Sequence, residues 1–144
     1  MRLHHVHVRH EFANPVDRVF AHLSEHENLS AVFAPVRVAR VRDGEDGRRN
    51  GVGSTRKLSF AGLMPFEETV MEFVEGERIV YRITKGSPLR GHEGVMEFSA
   101  LPGGGTLLDY RIQLGSPIPG LAAVVKHALT RSIPRGLGSV DAKA

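Results

Sequence analysis

Cysteine is absent from this chain of 144 residues. Without a thiol there is no disulfide framework, no thiolate nucleophile and no cysteine-based zinc or iron–sulfur site. The absence suits a reducing compartment, so we expect a cytoplasmic protein. No run approaches the roughly 18 apolar residues that predict a membrane span, and the first ten residues are too polar for a signal peptide.

A strong excess of one charge is also missing, since 19 Lys and Arg residues stand against 16 Asp and Glu residues. The densest basic group is Arg40, Arg42, Arg48 and Arg49. It lacks the interleaved aromatic residues of a nucleic-acid platform, so we interpret it as a solvated hairpin and expect no nucleic-acid partner. At this length we expect one domain over residues 1–144, as a monomer or homodimer.

Periodicity divides the chain into one strand, two short helices, six further strands and a long helix. Asn14-Pro15 predicts the start of the first helix, because Asn is a good N-cap and Pro fits the first helical position. Short links predict that consecutive strands are antiparallel. The predicted strands cover 4–12, 36–42, 53–60, 66–75, 78–85, 91–100 and 106–114, and the predicted helices cover 15–24, 25–32 and 118–133.

This order predicts an α+β fold in which a curved seven-stranded antiparallel sheet closes on the C-terminal helix. A sheet with one apolar face must be covered, and the helix over 118–133, about 24 Å long, is the only predicted element long enough. Pro134, with Gly136 and Gly138 after it, predicts that the helix ends or kinks there. We expect a cavity for an apolar small molecule between sheet and helix.

A series of short motifs runs in order along nearly the whole chain. They are Asn14-Pro15-Val16-x-x-Val19-Phe20-x-x-Leu23, Asn28-Leu29, Phe33-x-Pro35-Val36, Gly51-x-Gly53, Glu68-x-Val70, Arg78-x-Val80-Tyr81-Arg82, Gly104-Gly105-Thr106 and Tyr110. This series resembles the START-related superfamily and, within it, the polyketide cyclase/dehydrase-like family. The resemblance implies a helix-grip fold with a hydrophobic ligand cavity, and leaves open whether the ligand is carried or chemically changed.

Strand alternation predicts which side chains face the cavity, and a one-residue bulge would reverse the assignment. In the fourth strand two parities compete, and we favour the one that points Thr69, Met71 and Phe73 inward. That choice also turns Glu67 inward and leaves Glu68 outside. The predicted ligand-binding residues are Arg56, Leu58, Phe60, Met71, Phe73, Tyr81, His92, Met96, Phe98, Tyr110, Leu121, Val125 and Leu129.

Three functions fit these residues. The first is binding of a lipid or polyketide-like molecule, oriented by a few polar groups in an apolar cavity. The second is a polyketide cyclase or dehydratase, with His92 as the base, Arg56 or a tyrosine steadying an enolate oxygen, and Glu67 as a further catalytic candidate. The third is a protein interaction through the surface around Arg48 and Arg49.

Metal and phosphate sites are not predicted, and we expect no cofactor. His5 and His7 share a strand face, but Glu11 is the only carboxylate near them in sequence, which makes a poor metal site. The run 103–105 is all glycine, but a strand follows it rather than a helix, so it is not a phosphate loop.

Overall fold

The computed structural model describes residues 1–141, without the side chain of Asp46. The strands are β1 (His4–Phe12), β2 (Arg37–Arg42), β3 (Thr55–Phe60), β4 (Leu63–Val74), β5 (Arg78–Lys85), β6 (Arg90–Ala100) and β7 (Thr106–Gly115). The helices are α1 (Val16–Ser24), α2 (Leu29–Val32) and α3 (Leu121–Leu137), with single 3₁₀ turns at His26–Asn28 and Glu45–Gly47. All seven strands form one antiparallel sheet in the order β1-β7-β6-β5-β4-β3-β2.

This arrangement confirms the predicted α+β helix-grip architecture. α3 packs against β1, β7 and α2, and therefore covers one half of the inner face of the sheet most closely. α1 contributes Phe20, whose ring lies 5.3 Å from Phe73 and 5.0 Å from Phe98, each in an edge-on arrangement. These contacts join the helices and the sheet in one hydrophobic core. No helix within residues 1–141 is long and apolar enough to cross a membrane.

α3 continues through Pro134 to Leu137, so of the two predicted outcomes the ending at Pro134 is wrong, and the predicted bound at residue 133 is too early. Proline removes one backbone hydrogen bond, but Ile133 and Leu137 on either side are fully buried, and their packing offsets the loss. Gly136 allows this packing, because a Cβ at that position would lie 2.6 Å from the Ala31 carbonyl oxygen of α2. Gly136 is thus part of a close contact between α2 and α3.

The favoured parity of β4 is wrong in its first half. Val70 pairs with Tyr81 and Glu72 with Val80, so Met71 is an extra residue in a β-bulge and its side chain is exposed. Before the bulge the inward residues include Glu68 and Val70. After the bulge the pattern shifts by one residue and Phe73 packs against the core.

Phe60 does not face the core, which corrects its predicted inward position. Its exposed fraction is 50%. The register between β3 and β4 shifts after Leu58, and Phe60 pairs with Leu63 across a turn of only two residues. The turn between β3 and β4 is therefore shorter than the predicted turn over 61–65, and β4 begins three residues earlier than predicted.

Candidate functional site

A group of polar side chains lies buried on the inner face of the sheet and on the turn that leads to α2. We call it the inner polar cluster. Its members are His26, Ser54, Arg56, Glu68, Tyr81, His92 and Tyr110.

Arg56 and Glu68 form a buried ion pair at the centre of the cluster, with exposed fractions of 3% and 4%. Arg56 Nε donates to Glu68 Oε1 over 2.9 Å. Arg56 Nη2 lies 2.8 Å from the same oxygen as part of the ion pair, but this contact lacks hydrogen-bond geometry, and within residues 1–141 the nitrogen has no other hydrogen-bond partner. The guanidinium also stacks on the Tyr81 ring, with Cζ 4.4 Å from the ring centre. The sequence predicted Glu67 in this place; the bulge after Val70 puts Glu68 there instead.

His26 extends the cluster toward the helices and was missed by the sequence analysis. Its Nδ1 accepts a hydrogen bond from Arg56 Nη1 at 3.3 Å, so its proton is on Nε2, which donates to Ser54 Oγ at 2.9 Å. Burial, followed by the charge of Arg56, lowers the pKa of His26 to about 3. The ring is therefore neutral. The sequence predicts His26 within a short helix over 25–32, whereas the structure places it in a 3₁₀ turn before α2, with its side chain directed into the cluster.

His92 lies in β6 with its side chain facing the cluster. Its Nδ1 accepts the Ile83 backbone N–H at 3.0 Å, which places the ring proton on Nε2, 3.6 Å from Glu68 Oε2. Burial lowers the pKa of His92, and the charge of Glu68 opposes this. In this tautomer His92 presents a donor to the cluster, and the Glu68 carboxylate is the group there that can accept a proton.

Tyr81 and Tyr110 meet through their hydroxyl groups at the inner face. Gly94 makes room for them, because a Cβ there would overlap the Tyr81 ring. The two hydroxyls carry two protons, and their mutual hydrogen bond uses one. Among residues 1–141 no other hydrogen bond of these hydroxyls is formed, so one O–H remains free to donate.

Both tyrosines are expected to stay protonated in strongly basic solution. Burial raises the pKa of Tyr81 and of Tyr110 above the ordinary value of 10.0. As the pH rises, the tyrosines ionise in the unfolded state before they ionise in the folded state. The contribution of Tyr81 and Tyr110 to stability is therefore complete below pH 10 and is lost as the pH rises further. The chain has two tyrosines and no tryptophan, so ultraviolet absorbance reports on this pair alone. On titration with base, tyrosinate absorbance should appear together with the loss of helical circular dichroism. Ionisation of tyrosine near pH 10 in a protein that is still folded would contradict the burial of Tyr81 and Tyr110.

The other predicted ligand-binding residues fall into three groups. Leu58, Met96 and Phe98 are buried around the cluster, and Phe60 and Met71 are outside it. The rest are half-buried apolar side chains. They are Phe73 on the sheet and Leu121, Val125 and Leu129 on α3.

Grooves in the described residues 1–141 lie elsewhere. Two, of about 560 and 450 Å³, are on the outer face of the sheet and share Arg78 and Arg111, and a third, of about 410 Å³, lies between α2 and α3. None of these three is between the sheet and α3, where the sequence predicts a cavity. Tyr81 and Tyr110 are buried at the inner face, each 1% exposed. Among the same described residues, no three His, Asp or Glu side chains lie close enough together to hold a metal ion.

Similar solved structures define the class of fold. A START superfamily protein from Mycobacterium smegmatis has a TM-score of 0.76 at 17% identity, covering 97% of this chain and 96% of that one. A protein from Thermus thermophilus has a TM-score of 0.74 at 17% identity, covering 96% and 94%. The ZhuI aromatase/cyclase from Streptomyces has a TM-score of 0.69 at 17% identity, covering 98% and 90%.

The chain thus has the START-like helix-grip fold. The family described as polyketide cyclase / dehydrase and lipid transport matches residues 4–144, and the chain belongs to that family. A search of curated proteins found no match.

Proposed function

We propose that residues 1–144 act as a single domain that binds an apolar small molecule, lipid or polyketide-like, through an oxygen atom placed against the inner polar cluster. The observation that carries this proposal is a pair of buried donors whose hydrogen bonding is incomplete among residues 1–141. One is Arg56 Nη2, and the other is the free hydroxyl proton of the pair Tyr81 and Tyr110. A carbonyl, enolate or carboxylate oxygen would satisfy both.

The surroundings of these donors favour an apolar ligand body. Half-buried apolar side chains from the sheet, the β5–β6 connection and α3 pack at the edge of the core, including Phe66, Leu89, Val125 and Leu129. Tyr81 and Tyr110 are each 1% exposed, so a ligand oxygen reaches their hydroxyls only when the side chains around them move aside. Pockets of this kind hold the ligand by apolar contact and orient it with few polar groups.

Stability alone does not explain the inner polar cluster. When an ion pair such as Arg56–Glu68 is buried, the hydration free energy that the two charges lose is about as large as the free energy of their attraction. A protein with apolar residues of the same volume in their place is often at least as stable. A cluster that adds little stability yet presents unsatisfied donors is typical of a binding or catalytic site.

A matched pair of ligands tests the proposal. Methyl nonyl ketone and undecane have the same chain length and differ by one carbonyl oxygen. We expect the ketone to bind about tenfold more tightly by isothermal titration calorimetry, which corresponds to one charge-assisted hydrogen bond. The double variant Tyr81→Phe/Tyr110→Phe removes both hydroxyls and with them the free O–H donor. In this variant the preference for the ketone over the alkane should fall.

Ser99→Ala, on the exposed part of β6, is the control and should keep the preference of the unaltered protein. Equal affinity for ketone and alkane in the unaltered protein would contradict recognition of an oxygen. Failure of both ligands to bind would contradict the proposal as a whole.

A cyclase or dehydratase activity in the same site is the second candidate. The position of Glu68 favours it, since a carboxylate stands 3.6 Å from His92 Nε2 and beside Arg56. Glu68 would take a proton next to a carbonyl, while the donors would stabilise the enolate oxygen. If the protein is an enzyme, His92→Ala should abolish turnover of a poly-β-keto substrate and leave binding intact. Turnover unchanged in this variant would contradict a role for His92.

The third function, a protein interaction at the basic hairpin, gains no support from its charges. Arg49 Nε donates to Glu25 Oε1 at 2.9 Å, and Arg40 pairs with Glu25 and Glu27. Much of the positive charge is therefore balanced within the domain. The oligomeric state and the cytoplasmic location stay predictions.

A further inference from the structure

Exposed apolar side chains collect at one end of the sheet. Because the strands are antiparallel, the β3–β4, β5–β6 and β7–α3 connections all lie at this end, which we call the apolar end. The β3–β4 hairpin carries Phe60, Leu63 and Met64, with exposed fractions of 50%, 64% and 79%. Ile118 and Val124, in the last connection and the first turn of α3, are exposed as well.

The three connections contact one another in series. A Cβ at Gly86 in the β5–β6 connection would lie 2.9 Å from the Pro65 carbonyl oxygen of β4. Ser116 Oγ, in the β7–α3 connection, donates to the Pro88 carbonyl oxygen at 3.1 Å and accepts from the Ile118 N–H. The apolar end is therefore one surface, not three separate loops. An exposed apolar patch of this kind is typical of an interaction site.

The charge at the apolar end is predominantly positive. The segments 1–10, 57–66, 85–92 and 110–140 contain no Asp or Glu. Their basic residues at this end are Arg2, Lys57, Lys85, Arg90 and Lys126. Two acidic residues flank the apolar end. Glu67 lies opposite Lys57 and Lys85 in the strand pairing, and Glu93 forms an ion pair with Arg82.

We propose that the apolar end docks on the surface of an anionic lipid bilayer. Its apolar tip would enter the boundary between headgroups and acyl chains, while the surrounding lysines and arginines contact anionic headgroups. A second copy of this chain fits less well, because a symmetric contact would bring two basic surfaces together. This inference does not rest on the proposed ligand or on the inner polar cluster.

Vesicle sedimentation tests the docking, using phosphatidylcholine vesicles and vesicles of equal parts phosphatidylcholine and phosphatidylglycerol. The unaltered protein should bind the anionic vesicles and be released by high salt. Met64→Asp should lower the partition coefficient about tenfold, and Asp tolerates the left-handed backbone at this position. Val52→Asp is the matched control, because it adds the same charge at an exposed position in the β2–β3 connection, at the opposite end of the sheet.

Binding that Met64→Asp weakens and Val52→Asp leaves within about twofold supports the proposal. Absence of binding to anionic vesicles, equal binding to both vesicle types, or equal losses in both variants would overturn it. A dimer in sedimentation velocity that Met64→Asp dissociates would overturn it as well, in favour of self-association.

Discussion

Replacing Glu68 by glutamine is expected to lower the free energy of unfolding by about 3–5 kcal/mol, the largest change we predict for a single substitution. The reason is the charge that remains. Arg56 is 3% exposed, and without Glu68 its guanidinium stays ionised in the core with no anionic partner. Urea denaturation measures this loss as a lower midpoint concentration, with the dependence of the free energy of unfolding on urea concentration unchanged.

Glu67→Gln is the matched control for that substitution. Glu67 is half-buried on the other side of β4, and its loss should change the free energy of unfolding by no more than about 0.5 kcal/mol. The double variant Glu68→Gln/Arg56→Met should recover part of the stability, since it removes both charges. Equal losses at positions 67 and 68 would show that the bulge in β4 is misplaced.

Acid is expected to destabilise the protein progressively from about pH 6.5 downward. The pKa of His26 is about 3 in the folded protein and 6.5 in an unstructured chain, so the unfolded state binds a proton first as the pH falls. The contribution of His26 is therefore complete above pH 6.5 and is lost progressively toward pH 3, to a limit of about 5 kcal/mol. The lowered pKa of His92 adds in the same direction.

The variant His26→Gln isolates this titration. A glutamine amide can accept from Arg56 and donate to Ser54, as the neutral imidazole does, but it does not protonate. Urea unfolding at a series of pH values should show a shallower decline between pH 6.5 and 4 in the variant than in the unaltered protein. Parallel declines in the two proteins would contradict a buried neutral His26.

The architecture was predictable because it depends on long-range periodicity. Alternation in β5 and β7 and the helical period after Pro119 each span several residues, so one error does not change the assignment. The short links then fix the antiparallel order. The same logic predicted that Tyr81, Tyr110 and Arg56 share the inner face.

The details of the candidate site were less predictable, because they depend on single residues. Because of the bulge at Met71, the partner of Arg56 is Glu68 and not the predicted Glu67. No local sequence signal indicates this bulge. His26 enters the cluster from a 3₁₀ turn, where neither period applies. Pro134 predicts an early end of α3, but the helix continues to Leu137. The burial of Leu137 depends on the packing of α3 against α2, which the sequence does not reveal.

A crystal structure of the complex with methyl nonyl ketone is the most direct test of the proposed site. We expect the ketone oxygen within about 3.2 Å of Arg56 Nη2 and of a hydroxyl of Tyr81 or Tyr110, with the alkyl chain against Val125 and Leu129. A ketone bound in an outer groove beside Arg78 and Arg111, or between the sheet and α3 with its oxygen directed to solvent, would contradict it.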